Sequence, residues 1–366
     1  MPATENLREA GRLMTICNAC RYCEGLCAVF PAMEMRRVFG EGDLVYLANL
    51  CHQCGACLPD CQYSPPHQFD VNVPAAFAKL RNDSYERYVW PQALAGVFER
   101  NGLWVTLLCA ASVAVFIAGF VAFSDPAALW SPDAGDFYKL MPHGAMIGLF
   151  GAAALYAVAA FVLSLRAYWR DIHAGAPRAG LRAPLRALHD TFTLRYLGGG
   201  GEGCMSENER PSALRRVYHH FTFYGFLLCF AATSVATVYH YWYGLRAPYP
   251  LLSLPVPLGT LGGIGLLIGP AGLFALSQRR DRKLIDPSRR GMDTAFIAML
   301  FLTSLTGLLL LVLRDTAAMG LLLAIHLGFV FALFLSLPYG KFVHGLYRFL
   351  ALVKYAGERR SGTFED

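Results

Sequence analysis

The chain has 366 residues, of which 55% are hydrophobic and only 16% charged, with a net charge of +6. Soluble domains carry about 25% charged residues, so an ordinary cytosolic enzyme is excluded. Disorder is excluded by the 13% aromatic content, and the basic surplus flanks apolar spans instead of forming a nucleic-acid patch. Charge is also unevenly spread. Residues 1–100 hold 9 Lys/Arg and 11 Asp/Glu, and long uncharged stretches fill the remainder. The pattern predicts a small soluble head (1–100), a membrane body (101–350, with a long polar loop over 166–216) and a polar tail (351–366).

The head is marked by cysteine. Eleven are present, and eight lie between Cys17 and Cys61. The polar opening has no apolar stretch of the kind a secretory signal needs, so thiols are expected, not disulfides. The spacing is Cys17-x2-Cys20-x2-Cys23-x3-Cys27, then Cys51-x2-Cys54-x2-Cys57-x3-Cys61. This is the bacterial ferredoxin run written twice. A cubane needs four thiolates around one small volume; each tight turn supplies three, and the fourth comes from the other run. One [4Fe–4S] cluster is therefore expected on Cys17, Cys20, Cys23 and Cys61, and a second on Cys51, Cys54, Cys57 and Cys27. Structural zinc would leave the x3 cysteines without work. Cys109 and Cys229 lie in apolar spans and read as small buried hydrophobes. Cys204 ends the glycine-rich stretch 198–204, where a reactive or ligating role is open.

Six uncharged stretches are each about as long as the roughly 20 residues that cross the hydrocarbon core as a helix. They are Leu103–Phe123, Gly144–Leu165, Phe221–Val238, Leu254–Leu276, Thr294–Leu313 and Thr316–Pro338. The segments 166–216, 277–291 and 341–366 hold twenty Lys/Arg, against three in the opposite loops. The positive-inside rule then places both termini in the cytoplasm, where cluster assembly belongs. The expected location is a bacterial inner membrane.

Histidines are the next signal, because an ionisable group inside a span is costly and points to function. His52, His67, His173 and His189 read as ordinary polar residues. His326 and His344 are 18 residues apart, which is five whole turns of one continuous helix and a rise of about 27 Å. His219 and His240 are 21 apart, close to six turns and about 31 Å. If spans three and six run antiparallel, His219 shares the inner level with His344 and His240 the outer level with His326. That arrangement suits one or two bis-histidine b haems, with small residues such as Gly225, Ala232 and Ala236 leaving room. His220 is the alternative to His219, and His143 to His240. Arg215, Arg216, Lys341 and Arg348 are candidate propionate partners or simple interface residues.

The stretch from His326 through Leu-Pro338-Tyr-Gly-Lys-Phe-Val to His344 resembles the haem-bearing helix of nitrate-reductase gamma-type cytochrome b subunits. It departs from them in having no second histidine paired with His143. Over its whole length, the double ferredoxin head, the 194–204 loop and the His219-His220 span are similar to the tricarballylate- or citrate-utilisation protein B family. The resemblance implies a membrane electron carrier that reoxidises the FAD of a separate dehydrogenase, which desaturates tricarballylate to cis-aconitate, and passes electrons to quinone. No phosphate cradle or catalytic triad is visible, so the chemistry belongs to cofactors. The expected fold is a multidomain membrane protein, an α-helical two-cluster ferredoxin-like head on an all-α bundle of six transmembrane helices. Docking of the dehydrogenase is expected through Pro65-Pro66 and the charged stretch 81–87. The competing reading is a membrane-tethered iron–sulfur redox sensor without quinone turnover.

Overall fold

A computed structural model describes residues 4–123, 126–130, 137–173, 180, 182–201, 203–205, 207 and 209–361. The head is built from α1 (Glu5–Cys20), α2 (Val29–Glu34), α3 (Glu41–Leu50) and α4 (Val73–Tyr88). Two side-chain caps start its long helices: the Thr4 hydroxyl accepts from the Leu7 amide, and Asn72 accepts from Ala75, which satisfies donors a helix start leaves open. The body follows as α5 (Asn101–Phe123), the short α6 (Phe137–Leu140), α7 (His143–Ile172), α8 (Arg182–Phe192), α9 (Leu214–Tyr243), α10 (Pro255–Arg279), α11 (Arg290–Leu313), α12 (Met319–Ser336) and α13 (Val343–Ser361). Apart from an isolated bridge between Cys204 and Ser212, the described residues form no β-structure.

Among the described residues, six helices are long and apolar enough to cross a membrane: α5, α7, α9, α10, α11 with its lead-in, and α12 with its exit turn. The protein is a multi-pass membrane protein. Most helices outrun the apolar stretch that announces them, because helical hydrogen bonding continues into the polar interface; α7 runs to Ile172 and α9 begins at Leu214.

Glycine sets how α9 and α10 meet. A Cβ on Gly262 would lie 2.8 Å from the Gly225 carbonyl oxygen, and one on Gly269 would lie 2.6 Å from the Thr222 amide nitrogen. Small residues let helix backbones approach this closely where no hydrophobic effect drives association. Gly225 and Ala232 therefore face α10, and the room they were expected to leave for a macrocycle is taken by that helix.

Two expectations are corrected here. Span six does not carry one continuous helix from His326 to His344. Helix α12 stops at Ser336, a tight turn follows over Leu337–Tyr339, and α13 starts afresh at Val343. Pro338 supplies no amide hydrogen and disfavours helix in the residue before it, so the five-turn arithmetic fails. Nor are residues 351–356 a tail: Ala351, Leu352, Val353 and Tyr355 lie in the same core as Leu13, Met33, Leu47 and Phe77 of the head. That core also takes Tyr168 and Ile172 from α7 and Tyr339 from the α12 exit. Head and inner bundle are one packed unit. The ion pair of Arg36 with Glu358, at 2.5 Å, ties α13 to the head.

Candidate metal and cofactor sites

The two cysteine runs fold into two cavities. Helix α1 delivers Cys17 and Cys20 on its last turn, and Arg21, at φ 57, reverses the chain while its amide donates to the Cys17 carbonyl at 2.8 Å. Cys23 follows in that turn. The cavity they line is closed by Cys61 from the other run, with Ile16, Tyr63 and Val71. The second cavity gathers Cys51, Cys54 and Cys57 with Cys27 from the first run, beside Val29, Val73 and Tyr196. Phe30 is a wall of both. The grouping is the crossed one that the spacing predicts.

The donors suit a cluster better than an ion. Among the described residues no group of three or more His, Cys, Asp or Glu converges tightly enough to hold a single metal ion. Four thiols around a shared cavity are what the corners of a cubane require. Burial, then the nearby Cys61 thiol, pushes Cys17 and Cys23 up to about 12; burial pushes Cys54 up to about 11. Burial and the neighbouring Cys54 also raise Cys27 and Cys57. Thiolates are costly here unless a cationic iron centre compensates them, which couples metal binding to deprotonation. Amides already point at the sulfurs of the second set: Val29 donates to Cys27 and Gln53 to Cys51, both at 3.4 Å.

The glycine-rich loop covers the second cavity. The Met205 amide donates to the Cys54 carbonyl at 2.9 Å, and a Cβ on Gly199, at φ +52, would sit 2.9 Å from that of Ala56. Cys204 is buried here, and its thiol donates to the Leu197 carbonyl at 2.8 Å. It is packing for the ligand loop, and it stands outside both sets of four.

Below that loop the structure brings four arginines together. Arg81 donates to the Cys51 carbonyl at 3.0 Å and to the Gln53 side chain at 2.8 Å. Arg348 of α13 donates to Cys51 at 3.0 Å, while Arg215 of α9 and Arg280 at the end of α10 donate to the Gln53 carbonyl at 2.6 and 2.8 Å. Gln53 itself donates to the Leu284 carbonyl. Burial, and then the proximity of Arg215, pulls Arg280 down to about 9; burial and Arg81 pull Arg348 down to about 10. Arg81 is 3% exposed and belongs to this junction, whereas Arg87, at the other end of the expected docking stretch, is exposed. Pro65 and Pro66 are exposed.

The inner histidine pair lies just beyond. His219 and His344 are close enough to interact electrostatically, and each also feels Arg348. The His344 Nδ1 lies 2.5 Å from the Lys341 carbonyl. A carbonyl only accepts, so Nδ1 carries the proton and Nε2 keeps a free lone pair, the tautomer that a metal-ligating imidazole needs. Burial, with Arg348 and Lys341, holds His344 well below the ordinary histidine range, hence neutral. The His219 Nδ1 is buried without a hydrogen-bond partner. Two imidazoles at one level are the donor type that a haem iron takes. His220 instead stacks on Tyr224 at 5.7 Å.

The outer level is different. His240 stacks on His143 with centroids 3.7 Å apart. His326 turns to α11, its Nδ1 3.1 Å from the Thr306 hydroxyl and its ring against Gly307. His240 thus neighbours His143, the alternative the sequence offered for it, while His326 neighbours α11. The remaining histidines vary. His52 is buried, with Nδ1 on the Leu50 carbonyl; His173 stacks on Trp169; His189 is exposed.

The cysteine pattern, its crossed closure and the six spans can be set beside known proteins. A family model described as Citrate utilization protein B Fer4-like domain matches residues 10–87, and one described as Citrate utilization protein B matches residues 97–364. The chain belongs to the citrate utilization protein B family. The Citrate utilization protein B of Escherichia coli is 50% identical over 360 residues, covering 98% of this chain and 94% of that protein. No solved structure matches the chain. Family membership makes the head a Fer4-like, iron–sulfur domain. Sequence reasoning missed Arg81, Arg280 and Gln53. Gln53 lies inside a cysteine run and Arg280 at a span end, while Arg81 stands between the second run and the first span with nothing in the sequence to set it apart.

Proposed function

We propose that the protein carries electrons from the reduced FAD of a separate cytoplasmic dehydrogenase to quinone in the membrane, in the utilisation of citrate or the related tricarballylate. Cys17, Cys20, Cys23 and Cys61 hold the distal [4Fe–4S] cluster, and Cys27, Cys51, Cys54 and Cys57 the proximal one. His219 and His344 hold a b haem. When bound, these groups supply one-electron carriers between a two-electron donor and a quinone, which takes up two electrons and two protons. The carrying observation is continuity. The distal cavity shares Phe30 with the proximal one, and Arg348 bonds the Cys51 carbonyl while acting on both His219 and His344.

The residues do the rest. Burial of Cys51 and Cys54 limits water at the proximal site, the glycine-rich loop covers it, and the Lys341 carbonyl fixes the tautomer of His344. The excess of Lys/Arg on the side of the head supports both termini in the cytoplasm of a bacterial inner membrane. The family name of the E. coli relative supports the substrate class. A reduced-minus-oxidised spectrum of membranes containing the full chain tests the reading: b-type α and Soret bands, with quinone reduction by the dehydrogenase only when this chain is present, are expected. A flat difference spectrum with clusters intact overturns it in favour of a redox sensor.

A further inference from the structure

The two four-cysteine cavities have the same ligand spacing and opposite electrostatic surroundings. Around the proximal set, Arg81, Arg215, Arg280 and Arg348 all donate to the Cys51 or Gln53 main chain or to the Gln53 side chain. The carboxylate that acts on Arg280, Asp293, is already bridged to Lys341 at 2.7 Å. Backbone amides donate to the Cys27 and Cys51 sulfurs. Around the distal set, Asp60 acts on Cys23, and Glu24 and Glu34 lie against one another beside Arg21. Arg21 lines that cavity but is exposed. A side-chain amide, Gln62 to Cys20 at 3.7 Å, is the contact to sulfur there.

Cluster potentials follow net charge, hydrogen bonds to sulfur and solvent exposure. Reduction adds a negative charge, so fixed cations and amide donors favour it and nearby carboxylates oppose it. Burial of the proximal site works the other way by removing water. The same burial, however, removes the screening of guanidiniums held one residue from the ligating sulfurs. Cations and amide donors therefore act together against the desolvation of the cluster.

From this, and resting on the cluster assignment above, we infer that the arginine cage makes the proximal site the stronger electron acceptor of the two. Electrons entering at the half-buried distal site then run downhill towards the membrane, and the cage built by α4, α9, α10 and α13 fixes that direction. The arginines are positioning and tuning residues, since they reach the ligand loop through its backbone.

The test is a redox titration of membranes carrying the full chain, followed by paramagnetic resonance, with signals assigned by Cys54→Ser (proximal) and Cys20→Ser (distal). The signal lost in Cys54→Ser is expected at the higher midpoint potential. Arg280→Gln should lower that midpoint and leave the distal one unchanged, and Arg280→Lys should restore it; a purely structural arginine would move neither. A proximal midpoint at or below the distal one overturns the inference, as does a proximal midpoint indifferent to Arg280→Gln. Should Arg280→Gln fail to accumulate, the wild-type ordering and Arg215→Gln decide the question in the same way. Membranes with no cluster signal at all overturn the cluster assignment itself, and this inference with it.

Discussion

The inner and outer ends of the helical bundle are built on different principles. At the inner end, polar groups from distant parts of the chain are tied to one another. Arg36 joins Asp43 and Glu358, Lys354 reaches the Ile172 carbonyl at 2.5 Å, and Tyr168 packs on Tyr347 at 4.7 Å. At the outer end His143 and His240 stack beside Tyr138, and Trp242 and Leu252 are largely exposed. The electron transfer proposed above would need fixed separations, and the cross-linked inner end is where the structure holds its parts in place. Among the described residues the outer end has fewer such ties, with Arg314 donating to the Tyr249 carbonyl at 2.9 Å and the Tyr249 hydroxyl to the Ala236 carbonyl at 3.2 Å.

The sharpest way to break this contrast is at the ligands. Replacing Cys57 or Cys20 with Ser should remove one cluster each and abolish electron transfer to quinone. Iron and acid-labile sulfide should each fall by about half, because the two sets are separate. A variant that loses both clusters would show that the cavities form only together.

Next in size is the pair of histidine levels. His344→Ala should remove b-type absorbance, measured as haem per protein, because the Nε2 that Lys341 prepares is gone. His240→Ala should leave the inner haem bound. If His240→Ala empties the protein and His344→Ala does not, the functional end of the bundle is the outer one.

These outcomes bear on what the sequence could disclose. Three of the four cysteines in each set sit within a few residues of one another, so their spacing is legible, and apolar length likewise announces six spans. The arginine cage draws on positions 81, 215, 280 and 348, and only packing brings them together. The break at 337–342 was hidden for another reason. Pro338 and Gly340 were visible, but the periodicity of flanking histidines suggested that the helix ran through them. At Pro338 the missing amide hydrogen prevails over the periodic pattern, whereas α10 runs on through Pro270.

The junction of α13 with the head gives a third prediction. Arg36 is a half-buried guanidinium shared by Asp43 and Glu358. Arg36→Ala would leave Glu358 beside the Tyr46 hydroxyl, which donates to it at 3.1 Å, and Lys354. Breaking one partner of a buried pair costs about 3–5 kcal/mol, with the lower end expected here because Lys354 remains. Thermal unfolding in detergent measures it. Loss of cluster signal in parallel would show that α13 supports the ligand loops as well as the core.

The smallest effect probes the α9–α10 contact. Gly269 admits no Cβ, since one would run into the Thr222 hydroxyl and lie 2.6 Å from the Thr222 amide nitrogen. Forcing side-chain atoms into a filled contact costs about 1–3 kcal/mol, so Gly269→Ala should lower the unfolding midpoint in detergent. Gly148 on α7 has open space where its Cβ would be, and Gly148→Ala should be neutral or slightly stabilising, because glycine costs a helix about 0.5–1 kcal/mol relative to alanine. Arg215 and His219 lie on α9, and Arg280 ends α10. A strained contact that spreads these two helices should therefore shift the haem spectrum of Gly269→Ala but not that of Gly148→Ala. If both variants keep identical spectra while only stability differs, the contact serves packing alone, and the geometry of the inner site is held by the arginine bonds to the ligand loop.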